Sequence, residues 1–234
     1  MFCLVDYSCG AFKINCAVNR LPNFTCYPGT PLHENTDAVA VGPMHRGTIH
    51  FEYHMADLVE AYNECAIHGK PATRPVIEMT IPSAVDSTLV SSSLPGHHVV
   101  QLFIQFAPYK VNPTIGSWED PIFKETFAKR CFAIIDEFCP GFSDSIVGTD
   151  ILSPLDLERI FGLYQGSISH GSFGIHQLGY NRPVAGYSNH RSPIRGLYLA
   201  SASTHPGGGV MGACGKNCAH VVLNDMMSSS HHSK

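Results

Sequence analysis

The sequence predicts an α/β fold of the α+β kind: a mixed sheet with helices packed against it. Three observations carry this expectation. Of the 234 residues 44% are apolar and only 15% charged, enough for a real core and too few charges for a scaffold of solvated helices. Apolar residues alternate with polar ones in some segments and recur every three or four residues in others, so both strand and helix are encoded. Gly 21 and Pro 16 supply the turns between them.

Residues 11–18 (AFKINCAV) alternate apolar and polar as a half-buried strand does, and Arg20-Leu21-Pro22-Asn23 ends it. Residues 26–52, rich in Pro, Gly and His, read as loop. Over residues 54–68, Met55, Leu58, Val59, Tyr62 and Cys65 or Ala66 recur at helical spacing until Gly69 and Pro71 stop the run. Residues 75–81 and 99–106 read as strands. The strongest helix follows, with Ser117 and Asp120 as a capping box, Phe123, Phe127, Cys131, Ile134 or Ile135 and Phe138 as the apolar face, and Pro140-Gly141 as the stop. Ser153-Pro154 opens another helix that Gly162 closes. Residues 162–195 are loop-like. Residues 196–200 (GLYLA) form a short apolar strand, a helix is expected from Gly207 through Val222, and residues 226–234 form a polar tail.

Composition excludes several functions. A formal charge of −4, with Lys+Arg 15 scattered and no basic run, lacks the electrostatic footprint of a nucleic-acid binder. No stretch of apolar residues is long enough to span a bilayer. Residues 1–6 carry neither the basic start of a signal peptide nor the Arg of a transit peptide. The nine cysteines, Cys3, Cys9, Cys16, Cys26, Cys65, Cys131, Cys139, Cys214 and Cys218, include no C-x-x-C pair and read as free thiols of a reducing compartment. Asn23-Phe24-Thr25 matches a glycosylation sequon but reads as ordinary loop.

The chemistry concentrates near the C-terminus. A strand leading through glycines into a helix presents unpaired amides and the positive end of the helix dipole, and suits an anionic or electron-rich cofactor. Gly207-Gly208-Gly209-Val210-Met211-Gly212 satisfies G-x-G-x-x-G, yet a dinucleotide fingerprint also needs a following strand and an acidic residue about twenty positions on. Asp225 comes too early for that role. A phosphate loop fails as well, because Gly215-Lys216 is followed by Asn217 and Val210 stands where a glycine is required.

Residues 196–220, GLYLASASTHPGGGVMGACGKNCAH, resemble the C-terminal flavin-contacting segment of the phytoene-desaturase and amine-oxidase-like FAD flavoproteins. Further likenesses lie in Phe12-Lys13-Ile14-Asn15, Arg20-Leu21-Pro22, Arg74-Pro75-Val76-Ile77-Glu78, Ile81-Pro82-Ser83, Pro140-Gly141-Phe142, residues 144–152 and residues 156–163. They are similar to the branch of that family with pyridine nucleotide-disulfide oxidoreductase domains. The likeness implies a discontinuous FAD domain, with residues 6–190 a substrate-domain portion, residues 191–225 the returning FAD-binding segment and residues 226–234 a tail. It implies FAD contact by Gly196, Tyr198, Leu199, His205, Pro206, Gly207, Gly208, Gly209, Val210, Met211 and Gly212. Ser201 and Ser203 replace glycines usual in that turn, which requires negative φ or compensating hydroxyl contacts. The ADP half has no visible site, so the likeness implies a C-terminal portion of a longer FAD-dependent oxidoreductase. Its substrate is an unknown small molecule, its location the mitochondrial matrix with a role in mitochondrial function, and a protein partner there is conceivable. The alternative is a truncated, non-catalytic interaction module unable to hold FAD.

The remaining candidates have bland readings beside the sharp ones. No catalytic residue is identified. His170 and His176 could act as acid or base but read better as loop spacers. Ser172 as a hydrolase nucleophile fails because His170 stands in place of the first glycine of G-x-S-x-G. His45, His50 and His54 approach metal spacing without an HExxH motif, and no metal is expected. Cys214 and Cys218 read as packing residues, as do Phe103, Phe106, Phe123, Phe127 and Phe138.

Overall fold

The computed structural model describes residues 5–8, 10–32 and 38–231, with side chains of the last helix described as far as Ser228. Cys3, Cys9, the first four residues read for a targeting signal and the last three residues of the expected tail lie outside the described residues. The chain divides into two compact units: residues 10–166, and residues 167–234 together with 1–9. This division by packing is a different cut from the one at residue 190, which concerns substrate and cofactor.

In the first unit, β1 (Phe12–Val18) buries Phe12, Ile14, Cys16 and Val18 and turns Lys13, Asn15 and Ala17 to the other face, as the two-residue period requires. It pairs with β4 (His98–Gln105) and β5 (Ile146–Leu152), while β3 (Val76–Thr80) pairs with β4 and with the short β2 (Ile49–His50). The order is β2-β3-β4-β1-β5. The architecture is α+β as expected, but every pairing is antiparallel where a mixed sheet was expected. The alternating burial of β1 is the signature of a sheet covered on one face; parallel strands are commonly buried on both.

The covering layer is α2 (Pro121–Phe138), whose Phe127, Cys131, Ile134 and Ile135 complete the core. The Phe127 ring meets Phe12 edge-on at 4.9 Å between centroids. Ser117 does not cap this helix. Asp120 does, accepting from the Ile122 amide at 2.9 Å with Pro121 in the first turn, while Ser117 Oγ accepts from the Glu119 amide at 3.1 Å as a local turn. The helix over α1 (Met55–Ala66) forms as expected, yet it buries Ala61 and Cys65 and leaves Met55, Val59 and Tyr62 exposed. Ala61 packs with Ala72 and Val76, and Leu58 and Phe106 close that smaller cluster.

Three elements lay outside the periodicity reading: β2, α3 (Phe142–Ser145) and β5. β5 is an edge strand whose centre, Gly148-Thr149-Asp150, is exposed and poor in strand formers. Its successor α4 (Pro154–Phe161) obeys its signals: Ser153 Oγ accepts from the Asp156 amide at 3.2 Å, Asp156 Oδ2 accepts from the Ser153 amide at 2.8 Å, and Gly162 closes the helix at φ 69°. Ser153 is fully buried. Ser153→Ala is therefore expected to lower the stability of this unit by about 1–2 kcal/mol in chemical denaturation.

The second unit has no sheet among its described residues. Single 3-10 turns at Ile175–Gln177 and Gly179–Asn181 punctuate the loop, and α5 (Ala213–His231) closes the chain. The strand expected over residues 196–200 is reduced to one bridge, Arg191 with Tyr198. The last helix begins six residues later than expected. It also runs through much of the expected polar tail, because no Gly or Pro follows Gly215 to stop it.

Candidate functional site

Residues 207–212 are not helical because four of them take left-handed φ: Gly207 at 111°, Gly209 at 139°, Val210 at 56° and Gly212 at 69°. At Gly207 glycine is compulsory, since a Cβ there would stand 2.6 Å from Phe173 Cε1. The resulting turn, with Ala200, Ala202 and the first turn of α5, lines an open hollow of about 180 Å³. Among the described residues no protein group accepts a hydrogen bond from the amides of Gly208, Gly209, Val210, Met211 or Gly212. The first amides of α5 add to this set, because a helix start has no carbonyl one turn earlier. The first helical hydrogen bond here is Lys216 N to Gly212 O, 3.0 Å.

Two glycines on the rim have no local reason to be glycine. Gly208 has ordinary φ, and a Cβ on it would meet only Ala202 Cβ at 3.5 Å; a Cβ on Gly215 would meet nothing within 4 Å. Glycine in a helix costs about 1 kcal/mol relative to alanine. Their bare Cα atoms keep the hollow open.

Buried polar groups hold its walls. Arg182 is 1% exposed and its guanidinium lies 4.8 Å from the Phe173 ring centre. It donates from Nε and Nη2 to the Ala202 carbonyl at 3.2 and 2.7 Å, from Nη1 to Ser172 O at 3.1 Å and from Nη2 to Ser169 O at 2.6 Å. Cys214 Sγ donates to Gly207 O at 3.1 Å, tying α5 to the turn. Thr204, fully buried, donates from Oγ1 to Ser201 O at 2.7 Å. Ser201 and Ser203 take no positive φ, and their hydroxyls bond each other at 2.6 Å, so the two departures from glycine are accommodated.

A second tie joins the extended segment to α5. Asp225 accepts from Arg191 Nε and Nη2 at 2.8 and 2.7 Å and from the Tyr198 hydroxyl at 2.9 Å. These hydrogen bonds, from Arg191 first and then Tyr198, hold its carboxyl down to about 2. A carboxyl lowered on folding contributes stability above its unfolded pKa of about 3.9, and that contribution is lost as pH falls through the folded value. Hydrogen exchange of α5 amides is therefore expected to accelerate between about pH 4 and pH 2, and Asp225→Asn to remove that pH dependence. High salt should weaken the effect, because the group is partly solvated.

The residues expected to contact a cofactor separate into two sets. Gly207, Gly208, Gly209, Val210, Met211 and Gly212 line the hollow. Gly196, Tyr198, Leu199, His205 and Pro206 are not among its lining residues: Tyr198 is held by Asp225, the Leu199 carbonyl faces His190 Nδ1 at 3.0 Å, and His205 is exposed. Arg182, Arg191 and Asp225 were invisible to sequence reasoning, since a charged residue in a Gly- and Pro-rich loop or on a helix reads as solvated surface.

Several of the other candidate residues make structural contacts. Ser172 Oγ donates to Asp6 Oδ2 at 2.8 Å. The Ser172 amide and the Gln177 side chain also hold the Asp6 backbone carbonyl, so the Ser172 cluster is a backbone anchor. Burial acts to raise the Asp6 pKa, yet hydrogen bonds from Ser172 and Ser8 keep it below its ordinary value. His45 is buried with Nδ1 accepting from the Gly42 amide at 3.0 Å and Nε2 donating to Pro22 O at 2.8 Å, which leaves no nitrogen for a metal. Among the described residues no group of His, Cys, Asp and Glu could hold a metal ion. Burial pushes the thiols of Cys16 up to about 12 and Cys139 to about 11, and raises Cys131 too, which makes them packing groups rather than nucleophiles. The described cysteines are free thiols. Among the five phenylalanines, Phe127, Phe123 and Phe138 join the main core and Phe106 the smaller cluster, but Phe103 stands half-buried on the other face of the sheet. No helix of the described residues is long and apolar enough to cross a membrane.

No family model matches the chain. Individual relatives do. The chain is 44% identical over 214 residues to pyridine nucleotide-disulfide oxidoreductase domain-containing protein 2 of Rattus norvegicus, covering 92% of this chain and 35% of that protein. It is 26% identical over 149 residues to a lycopene-forming phytoene desaturase of Pantoea ananas, covering 62% of this chain and 28% of that one. A 4,4'-diapophytoene desaturase of Staphylococcus haemolyticus matches at 25% identity, covering 95% of this chain and 39% of the desaturase. By sequence, then, the chain is a relative of pyridine nucleotide-disulfide oxidoreductase domain-containing protein 2, matched along nearly all of its own length and spanning about a third of that protein's.

Proposed function

We propose that the chain supplies the flavin-facing wall of an FAD-dependent oxidoreductase, with residues 207–212 and the start of α5 set against the ring. The observation that carries the reading is the row of amides at Gly208–Gly212 that no protein group among the described residues engages, opening on the hollow of about 180 Å³. Whole small-molecule sites run to about 300–1,000 Å³, so this hollow takes one edge of a ligand and leaves the rest to other walls. The residues present fit a flat, electron-rich group: bare Cα atoms at Gly208 and Gly215 admit it closely, and amides with the helix dipole favour negative charge along its edge.

Bound against residues 207–212, FAD would supply the hydride-accepting chemistry. The chain's own part is electrostatic. Fixed amide dipoles need no rearrangement when charge builds opposite them, which is the most effective way a protein stabilises it. Arg182 keeps the Ala202 side of the hollow in place and Cys214 the Gly207 side. On the resemblance of residues 196–220, Gly196, Tyr198, Leu199, His205 and Pro206 would contact more remote parts of the cofactor, the chain would correspond to the C-terminal portion of its relatives, and the protein would act in the mitochondrial matrix. The substrate is a small molecule.

Titration of the purified chain with FAD, riboflavin and ADP tests the reading. Flavin fluorescence is expected to be quenched by the chain for FAD and riboflavin alike, with ADP failing to compete. An interaction module is the rival, favoured by Val210, fully exposed, and Met211, 63% exposed, at the tip of the turn. It predicts unaltered flavin fluorescence.

A further inference from the structure

A small cavity lies between α2 and two loops in the unit of residues 10–166. Phe123, Phe127 and Arg130 are spaced four and three residues apart on α2, so they share one stripe of the helix. Lys70 and Pro71, in the turn after α1, and Ile115, in the loop before α2, line the same space of about 50 Å³. One water needs about 10–15 Å³ by that measure, so the cavity holds about four heavy atoms. Its walls are fixed. The Asn112 amide donates to the Gly69 carbonyl at 2.8 Å, which joins the two loops. The Phe123 ring is clamped between Trp118, at 5.2 Å between centroids, and Gly116, where a Cβ would stand 2.4 Å from ring carbons. The charge at this cavity is unbalanced. Arg130 is half-buried, donates from Nη1 to the Ala72 carbonyl at 2.9 Å and lies 5.7 Å from the Phe127 ring centre. Among the described residues no carboxylate pairs with it, whereas Arg74, Arg159 and Arg191 each hold one. Thr126 and Ile134, one turn away on α2, offer none either. Holding one loop carbonyl uses one of five N–H groups and leaves the Nε and Nη2 edge unspent. Lys70 differs, because Glu64 already matches its charge. No acidic side chain lines the cavity.

We propose that this cavity binds a short-chain aliphatic monocarboxylate, with Nε and Nη2 of Arg130 donating to the two carboxylate oxygens and Pro71, Ile115, Phe123 and Phe127 enclosing its carbons. A guanidinium edge and a carboxylate match as a planar fork of two parallel hydrogen bonds. One unpaired cation balances one negative charge, so a dianion such as phosphate would bring a surplus into an apolar space. The volume sets the length: a four-carbon acid puts its carbons inside and its oxygens at the guanidinium. The cavity lies wholly within residues 10–166 and involves none of the glycine turn, so it stands or falls apart from the flavin reading.

Butyrate is the probe, with 1-butanol lacking the charge, acetate lacking most of the chain and octanoate overrunning the cavity. In NMR titrations of the whole chain at about 1–100 mM and constant ionic strength, a range suited to so small a ligand, butyrate is expected to shift the Arg130 Nε–H signal and the Ile115 amide. 1-Butanol should bind about tenfold more weakly for want of the charged pair, and acetate about tenfold more weakly for want of two methylenes. Octanoate should bind no more tightly than butyrate, which separates a free short acid from the end of a long acyl chain. Arg130→Met should abolish the preference for butyrate over 1-butanol while leaving 1-butanol binding as it was, which a merely structural arginine would not do. Ile115→Trp, on the exposed side of the cavity, should fill it and abolish the shifts from every compound. No shifts from butyrate, equal binding of butyrate and 1-butanol, octanoate more than tenfold tighter, or butyrate binding that survives either substitution would overturn the proposal.

Discussion

Replacing Arg182 by methionine is expected to destabilise residues 167–231 by about 3–5 kcal/mol, the largest loss of any single change in that unit. The guanidinium is 1% exposed and serves the carbonyls of Ala202, Ser172 and Ser169 together. Methionine fills much of the volume, so the loss isolates the hydrogen bonds rather than a cavity, and each orphaned carbonyl costs about 1–3 kcal/mol. Arg182→Lys keeps the charge and loses the fork, and should fall between the two. Hydrogen exchange of the amides of Thr204 and Cys218 reads the effect directly. A change below about 0.5 kcal/mol, the range of ordinary surface substitutions, would show that these carbonyls are held by other means.

Two neighbouring glycines should behave in opposite ways. Gly207→Ala places a Cβ 2.6 Å from Phe173 Cε1 on a backbone at φ 111°, so it should cost stability, about 2–3 kcal/mol. Gly208→Val meets no such barrier: φ is ordinary and Ala202 Cβ lies 3.5 Å from the added carbon. Its branched side chain instead occupies the hollow. The melting temperature should stay within a degree or two of the parent while riboflavin binding weakens about a hundredfold, equivalent to about 2.7 kcal/mol. If Gly208→Val unfolds the unit, the glycine serves the fold; if it leaves binding intact, the hollow is not the site.

The elements legible in the sequence were those that bury one stripe. β1, β3, β4, α1, α2 and α4 follow from two- and four-residue periods and from caps such as Ser153 and Gly162. β5 escaped because an edge strand with an exposed Gly148-Thr149-Asp150 centre has no buried stripe to display. The helix start escaped for another reason. Residues 207–212 have the small-residue composition of a ligand-binding helix start, but the ring of Phe173, distant in sequence, excludes a Cβ at Gly207, and the local φ values are left-handed. Arg182 and Asp225 could not be found by pattern at all, because what makes them matter is which carbonyls and guanidinium the fold brings to them.

The most direct test of the account is the amide NMR spectrum of the chain during riboflavin addition. Shifts concentrated at Gly208, Gly209, Met211, Gly212 and Ala213, absent in Gly208→Val, are the predicted result. Saturating riboflavin that leaves those five amides unmoved, or moves only signals elsewhere, would contradict it.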